Sequence, residues 1–327
     1  MKTLGRREVV TRRETGEDLI TRIAWLYYKE KMTQQEIAER ISLSRQKVQR
    51  LLEKARDLEI IQFTLKHPYH NLMSIESEIR QKFGLKDAVV APRASGDPVR
   101  LRQGFAMAGA AYLQRKLGAL KKCVLGIGWG NTTASLAEIF EPPLVTGKIE
   151  IVSLIGNLMM NVSMNPYIMV EKMARKLDAS FYNIWAPAIA QTRDRAEVFK
   201  SEPWIRDVLD MGGRADVVLI SIGEASRSAS LFRMGYLSAG DLQRLIGKGA
   251  VGDILCRYFD IRGDFIDDEV HDRVIGIPMD VMGDPEKLII AVAGGPSKVH
   301  AIRAALLKKY INVLITDEGT ARELMHA

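Results

Sequence analysis

The stretch Leu125-Gly126-Ile127-Gly128-Trp129-Gly130-Asn131-Thr132-Thr133-Ala134-Ser135-Leu136 decides the fold of this chain. An apolar run from Cys123 to Ile127 enters a glycine-rich turn, and a helix capped by Asn or Thr leaves it. A strand that feeds a helix through glycines is the repeating unit of an α/β sheet. Gly128 and Gly130 would let the backbone approach a ligand. The amides from Asn131 to Ala134, with the Thr132 and Thr133 hydroxyls, form a candidate anion cradle. The same glycines would equally serve a turn needed only for packing. The spacing is not the dinucleotide fingerprint, since the glycines fall at 126, 128 and 130 and Glu150 begins a strand. Nor is it a phosphate loop of the Gly-Lys-Ser/Thr kind.

The same period continues on both sides. Apolar runs at Ala88–Ala91, Ile149–Ile155, Ser180–Trp185, Val217–Ile222, Leu288–Val292 and Asn312–Ile315 predict further strands. Helical spacing fills gaps such as Asn165–Leu177, Ala239–Gly247 and Lys298–Lys308. The expectation is a doubly wound, mostly parallel sheet with its ligand at the carboxyl ends of the strands. A second glycine turn, Ala293-Gly294-Gly295-Pro296-Ser297-Lys298, again follows a strand. Lys298 falls in a first helical turn, where the dipole disfavours a cation, and an anionic ligand would relieve that conflict. A lysine reaching for solvent is the alternative. Asp253 and Asp260 flank an apolar stretch and could accept hydroxyl protons from a sugar or polyol, or act as a loop cap and a turn residue. His271, His300 and His326 show no metal spacing, and Met159, Met160 and Met164 read as packing residues. No cofactor or metal is expected.

Before residue 71 the pattern changes. Helical spacing runs from Asp18 to Lys31. Thr33 with Glu36 forms a capping box, and Ser44 is the next N-cap, so two short helices flank Ile41-Ser42-Leu43. Val48, Leu51, Leu52 and Ala55 make the buried stripe of the second. This is a helix-turn-helix plan. Thr33 and Gln34 at the first helix, and Ser44, Arg45, Gln46, Lys47, Gln49 and Arg50 on the second, are candidate contacts to a major groove. A helical hairpin with solvated charges is the alternative. Ile60–Lys66 reads as a strand, a partial wing, and His67–Asn71 as the linker.

Charge supports the division. The net is +7, and residues 1–70 carry 15 Lys/Arg against 10 Asp/Glu, so about a fifth of the chain holds most of the excess. That asymmetry suits a nucleic-acid-binding head of residues 1–66 on a near-neutral body of residues 67–327. With 47% hydrophobic and 27% charged residues over 327, intrinsic disorder is excluded as the main state. Cys123 and Cys256 cannot build a disulfide framework, which points to a reducing cytoplasm. The charged N-terminus lacks a following apolar region, and no run of apolar residues is long enough for a membrane span.

Taken in order, these segments resemble the SorC/DeoR-type family of sugar-binding transcriptional regulators over nearly the whole chain. The resemblance rests on Tyr27-Tyr28, Thr33–Ala38, Leu43–Leu52, Gly126–Thr132, Gly249–Ile254, Phe259-Asp260, Ala293-Gly294-Gly295 with Lys298, and Leu314–Glu318. It implies an N-terminal domain on operator double-stranded DNA and a C-terminal effector domain similar to sugar-phosphate isomerases and aminosugar-phosphate deaminases. It implies dimers or tetramers, and a sugar phosphate or polyol as effector. By position, Gly128, Trp129, Gly130, Asn131, Thr132, Thr133 and Lys298 would hold the phosphate, and Asp253 and Asp260 would face the sugar. Thr133 departs from the hydrophobic residue that many relatives carry. Asn161–Pro166 lacks a basic residue that some relatives place nearby, which keeps a neutral polyol open. The competing class is an isomerase or deaminase with an accessory DNA-binding head, using Asp253, Asp260 or Glu224 for proton transfer. A protein that only bends DNA would not need the glycine turns.

Overall fold

The computed structural model describes residues 16–61, 70–92, 97–144, 147–158 and 165–326. The chain forms two compact units, Met1–His67 and Pro68–Ala327.

In the first unit, α1 spans Gly16–Tyr28, α2 Gln34–Arg40 and α3 Arg45–Asp57. The Thr33 hydroxyl accepts from the Glu36 amide, and the Glu36 carboxylate accepts from the Thr33 amide at 2.7 Å, so the capping box is complete. Ser44 caps α3 by accepting from the Lys47 amide at 3.2 Å. Between them Ser42 takes a left-handed φ of 55°, which reverses the chain in three residues. Ile23, Leu26, Ile37, Ala38, Val48 and Leu52 form the core of this unit. Burial of each of the Ile, Leu and Val side chains stabilises the fold by roughly 1.5–3 kcal/mol. The first helix stops at Tyr28, short of the expected Lys31, and Lys31 itself has a left-handed φ of 56°. Ile60 and Ile61 form a bend packed on Ile20, Ala24 and Ala55. Residues 62–66 of the expected wing lie outside the described residues, as do residues 67–69 of the expected linker.

The second unit opens with α4 (His70–Phe83), so residues 70 and 71 begin a helix where the sequence suggested a linker. There follow β1 (Asp87–Ala91), α5 (Pro98–Gly118), β2 (Lys122–Ile127), α6 (Asn131–Ile139), β3 (Lys148–Ser153), α7 (Pro166–Leu177) and β4 (Ser180–Tyr182). Then come α8 (Arg193–Ser201), α9 (Pro203–Gly213), β5 (Val217–Ile220), β6 (Gly223–Glu224), α10 (Ser230–Arg233) and α11 (Ala239–Gly247). The chain ends with β7 (Ala250–Ile254), β8 (Arg257–Asp260), α12 (Glu269–Asp272), β9 (Leu288–Val292), α13 (Val299–Leu307), β10 (Val313–Asp317) and α14 (Glu318–His326).

The main sheet has seven strands in the order β1-β10-β9-β5-β2-β3-β4, and every pairing is parallel. Alternate residues serve opposite faces. In β5, Val218 and Ile220 join the core beneath α4, α11, α13 and α14, while Val217 and Leu219 join the core beneath α5, α6 and α7. Burial on both faces explains why these strands read as continuous apolar runs. From β2 the chain winds outward through β3 and β4, and then returns to the other side of β2 with β5, β9 and β10. The strand order therefore reverses between β2 and β5, where a crevice opens beyond their carboxyl ends.

A three-stranded antiparallel sheet, β6-β7-β8, was not expected from the sequence. Its β7–β8 hairpin turns at Leu255 and Cys256, both with left-handed φ values of 49° and 65°. The Cys256 amide donates to the Asp253 carboxylate at 3.1 Å and holds this turn.

Candidate functional site

A cavity of about 880 Å³ occupies the crevice at the β2/β5 reversal. Much of its wall comes from segments that leave the carboxyl ends of strands: Trp129–Thr132 after β2, Ser221–Glu224 after β5, Gly294–Lys298 after β9, and Asp317, Gly319 and Thr320 at β10 and α14. One face of α5 closes it with Leu101, Arg102 and Phe105.

The structure brings Trp129, Gly130, Asn131, Thr132, Asp253 and Lys298 together on this lining. It does not bring Gly128, Thr133 or Asp260 there. A Cβ on Gly128 would meet Leu255 at 2.9 Å and Ile220 at 3.2 Å, so that glycine serves the packing of the hairpin tip on the turn. The Thr133 hydroxyl is buried and donates to the Gly130 carbonyl at 2.9 Å. Asp260 sits at the end of β8, where its carboxylate accepts from the amides of Arg262 and Asp264 at 2.9 Å each and pairs with the Arg262 guanidinium. It is a turn residue, the alternative that its place before Gly263 left open.

Gly130 begins α6 at a φ of 138°, a conformation that side chains rarely adopt. The first amides of α6 stay without intrahelical partners, as at any helix start. The Asn131 side chain donates to the Ser230 hydroxyl at 3.2 Å and ties the turn to α10. Across the cavity, Lys298 ends a 3-10 turn over Pro296–Lys298 rather than lying inside α13. Its ammonium donates to the Ile222 carbonyl at 2.7 Å. Burial lowers the Lys298 pKa, against the pull of Asp253 and Glu224.

Those two carboxylates behave differently. Burial pushes the Asp253 pKa up to about 6, although the Cys256 amide and the Lys298 charge oppose it. Burial also acts to raise Glu224, but the hydroxyls of Ser228, Ser297 and Ser226, with Lys298, outweigh it and the net shift is downward. Glu224 Oε1 accepts from Ser226 at 2.8 Å and Ser228 at 2.6 Å. A Cβ on Gly223 would lie 1.8 Å from Asp253 Oδ1, so the carboxylate rests against bare backbone. The arrangement offers hydroxyl-accepting carboxylates beside a cation, together with amide donors at a helix start.

Sequence reasoning named Glu224 only as a candidate for proton transfer, and it missed Arg102, Ser221, Asp317 and Thr320 as lining residues. Asp317 belongs to the Leu314–Glu318 segment, and its position just past the carboxyl end of a predicted strand was the available signal. Arg102 sits on a helix whose face toward the crevice no local pattern marks.

In the first unit, Ser44, Arg45, Gln46, Lys47, Gln49 and Arg50 are exposed around the amino-terminal half of α3. Gln49 donates to Glu53 at 3.1 Å. Among the described residues, Arg45, Lys47 and Arg50 form no ion pair. Thr33 is exposed but its hydroxyl is engaged in the cap, and Gln34 is half-buried.

Among the described residues no group of His, Cys, Asp and Glu could hold a metal ion, and no helix is long and apolar enough to cross a membrane. Cys123 and Cys256 are buried free thiols.

The family described as "Putative sugar-binding domain" matches residues 67–326. The transcriptional regulator LsrR of Enterobacter sp. (strain 638) is 35% identical over 317 residues, which cover 95% of this chain and 94% of that protein. The erythritol catabolism regulatory protein EryD of Brucella abortus (strain 2308) is 30% identical over 312 residues, covering 95% and 98%. The full-length sorbitol operon regulator SorC of Klebsiella pneumoniae is similar in structure, with a TM-score of 0.73, 26% identity, and coverage of 95% of this chain and 99% of that one. With the α/β body, the helix-turn-helix unit and these likenesses together, the chain belongs to the SorC/DeoR-type family of sugar-binding transcriptional regulators.

Proposed function

We propose that this regulator binds operator DNA through residues 1–66 and releases or reshapes it when a small sugar phosphate or polyol fills the cavity of residues 67–327. The observation that carries the reading is the lining itself. Asp253, Glu224 and Lys298 stand together at the β2/β5 crevice, with serine hydroxyls and helix-start amides around them. Carboxylates suit the hydroxyls of a polyol, and amides with cations suit a phosphate. The exposed Ser44, Arg45, Gln46, Lys47, Gln49 and Arg50, with Thr33 and Gln34 at α2, meet the DNA. The protein works in the cytoplasm as a dimer or tetramer, since paired heads read paired half-sites. It regulates a carbohydrate catabolic operon, in keeping with its relatives' names.

Catalysis has no part in this reading. Of the carboxylates that proton transfer would use, Asp260 stands away from the cavity while Asp253 and Glu224 stand on its lining, so turnover is measured directly beside binding. An effector acts only through its differential affinity for two states. A coupling of about 1–3 kcal/mol would change operator affinity about 5–150-fold. The test is operator binding by fluorescence anisotropy while free polyols and sugar phosphates are titrated, with turnover of each compound followed in parallel. A shift in operator affinity without turnover supports the reading. Turnover by the purified chain, or no response to any carbohydrate that binds, overturns it.

A further inference from the structure

Four cationic side chains line the cavity: Arg102, Arg233, Lys298 and Arg322. Three of them are poorly placed to seat an anion. Lys298 donates to the Ile222 carbonyl and is flanked by the Asp253 and Glu224 carboxylates, so its charge is already compensated. Arg322 is held by Glu318 at 3.0 and 2.8 Å. Arg233 is exposed.

Arg102 differs. It is half-buried on the face of α5 that carries Pro98, Leu101 and Phe105 into the cavity. Among the described residues it has no carboxylate partner, and its charge reaches the Lys298 ammonium. It also lines a second, smaller cavity of about 280 Å³ together with Asn131, Ser135 and Lys172. Lys172 is paired there with Glu138. Arg102 and Asn131 therefore stand at the junction of two chambers, on the side of the α6 start.

We infer that Arg102, rather than Lys298, seats the anionic group of a phosphorylated effector, an assignment that rests on the carbohydrate-effector reading of the cavity. A phosphate beside Glu224 and Asp253 meets like charge. A phosphate beside Arg102 meets a planar guanidinium with donors in a fork that matches two of its oxygens. The cavity then has two poles. Glu224, Asp253 and Lys298 take hydroxyls, and Arg102 takes the phosphate. Arg102 thereby sets the discrimination between a sugar phosphate and its free polyol.

The experiment uses the full chain, with inorganic phosphate and a panel of free four- to six-carbon polyols and their phosphates as probes, read by titration calorimetry. Arg102→Gln should weaken inorganic phosphate and the phosphorylated compounds by about tenfold or more, as loss of a charge-assisted bond predicts. Arg102→Lys should restore part of that loss, because it keeps the charge without the fork. Arg322→Gln removes the same charge from a paired position and should change phosphate affinity by less than about threefold. Melting temperatures of the unliganded variants within about 2 °C of the parent chain establish that the fold is kept. Phosphate binding by Arg102→Gln at the parent affinity overturns the assignment. So does a parent chain that binds free polyols but no phosphate, although the carbohydrate reading then survives. If no polyol, sugar phosphate or phosphate binds, both fall.

Discussion

The Asp317 carboxylate accepts the Gly295 amide proton at 3.0 Å and so locks the β9–α13 turn to the end of β10. The Thr320 hydroxyl accepts from the same amide at 2.8 Å and donates to Asp317 at 2.6 Å, while the Thr320 amide donates to the other carboxylate oxygen at 3.0 Å. A Cβ on Gly294 would meet Asp317 at 2.4 Å. Lys298 is three residues from Gly295, so its placement depends on this clamp.

Asp317→Ala should leave the Gly295 amide with one acceptor fewer in a buried place, at a cost of about 1–3 kcal/mol. Chemical denaturation of the full chain measures that loss. The effector midpoint for DNA release should rise as well, because the turn that carries Lys298 is freed. An unchanged midpoint would remove the clamp from the effector site.

Gly223→Ala puts a methyl group 1.8 Å from Asp253 Oδ1, so the carboxylate or β6 must move. The expected cost is about 1–3 kcal/mol, as for other overpacked sites. Effector response should fall more than operator affinity measured without effector. Equal loss of both in anisotropy titrations would argue for general unfolding.

Asp253 carries a pH signature. Its folded pKa of about 6 lies above the ordinary aspartate value, chiefly through burial, so the folded protein favours the protonated form. Between pH ~4 and ~6 the unfolded chain has already lost this proton while the folded chain keeps it. Stability from this group is therefore greatest at low pH and falls as pH rises through that window, by on the order of 3 kcal/mol. Asp253→Asn should flatten the fall. Denaturation midpoints of the two proteins from pH 4 to pH 8 supply the comparison, and parallel curves would count against it.

Arg45→Ala should weaken operator binding. If the guanidinium neutralises a phosphate, the slope of log affinity against log salt drops by about 1. If it reads a guanine, the loss is about 1–3 kcal/mol and confined to one base position. Operator titrations across a salt series, repeated on single-base variants, separate the two. Binding that does not change on either axis takes Arg45 off the DNA.

The parallel sheet was legible in the sequence because its strands are buried on both faces and read as uninterrupted apolar runs. Strands β1, β2, β5, β9 and β10 each fall within a residue or two of those runs. The helix-turn-helix unit was legible for a different reason: Thr33 and Ser44 are caps whose partners lie three residues away, so the whole interaction is local. The antiparallel hairpin was not legible. Its turn uses Leu255 and Cys256 where Gly or Asn would announce a left-handed conformation, and a contact from Asp253 supports it. Asp253 and Asp260 looked equivalent as flanking carboxylates. They differ because β7 turns one toward the crevice and β8 ends with the other among the amides of its own turn. Lys298 was found from its place at a helix start, but its two carboxylate neighbours come from segments 45 and 74 residues earlier in the sequence. No local pattern could supply them.

The hairpin also gives Asp253 a double duty. One carboxylate oxygen holds closed a turn whose two residues both sit in left-handed backbone, and the other rests against Gly223 at the cavity wall. Leu255, at the tip of that turn, presses on the strand-to-helix loop at Gly128. A solute that draws on the Asp253 charge thus tugs a latch shared by both sheets, and occupancy of the crevice becomes tension on the loop that starts α6.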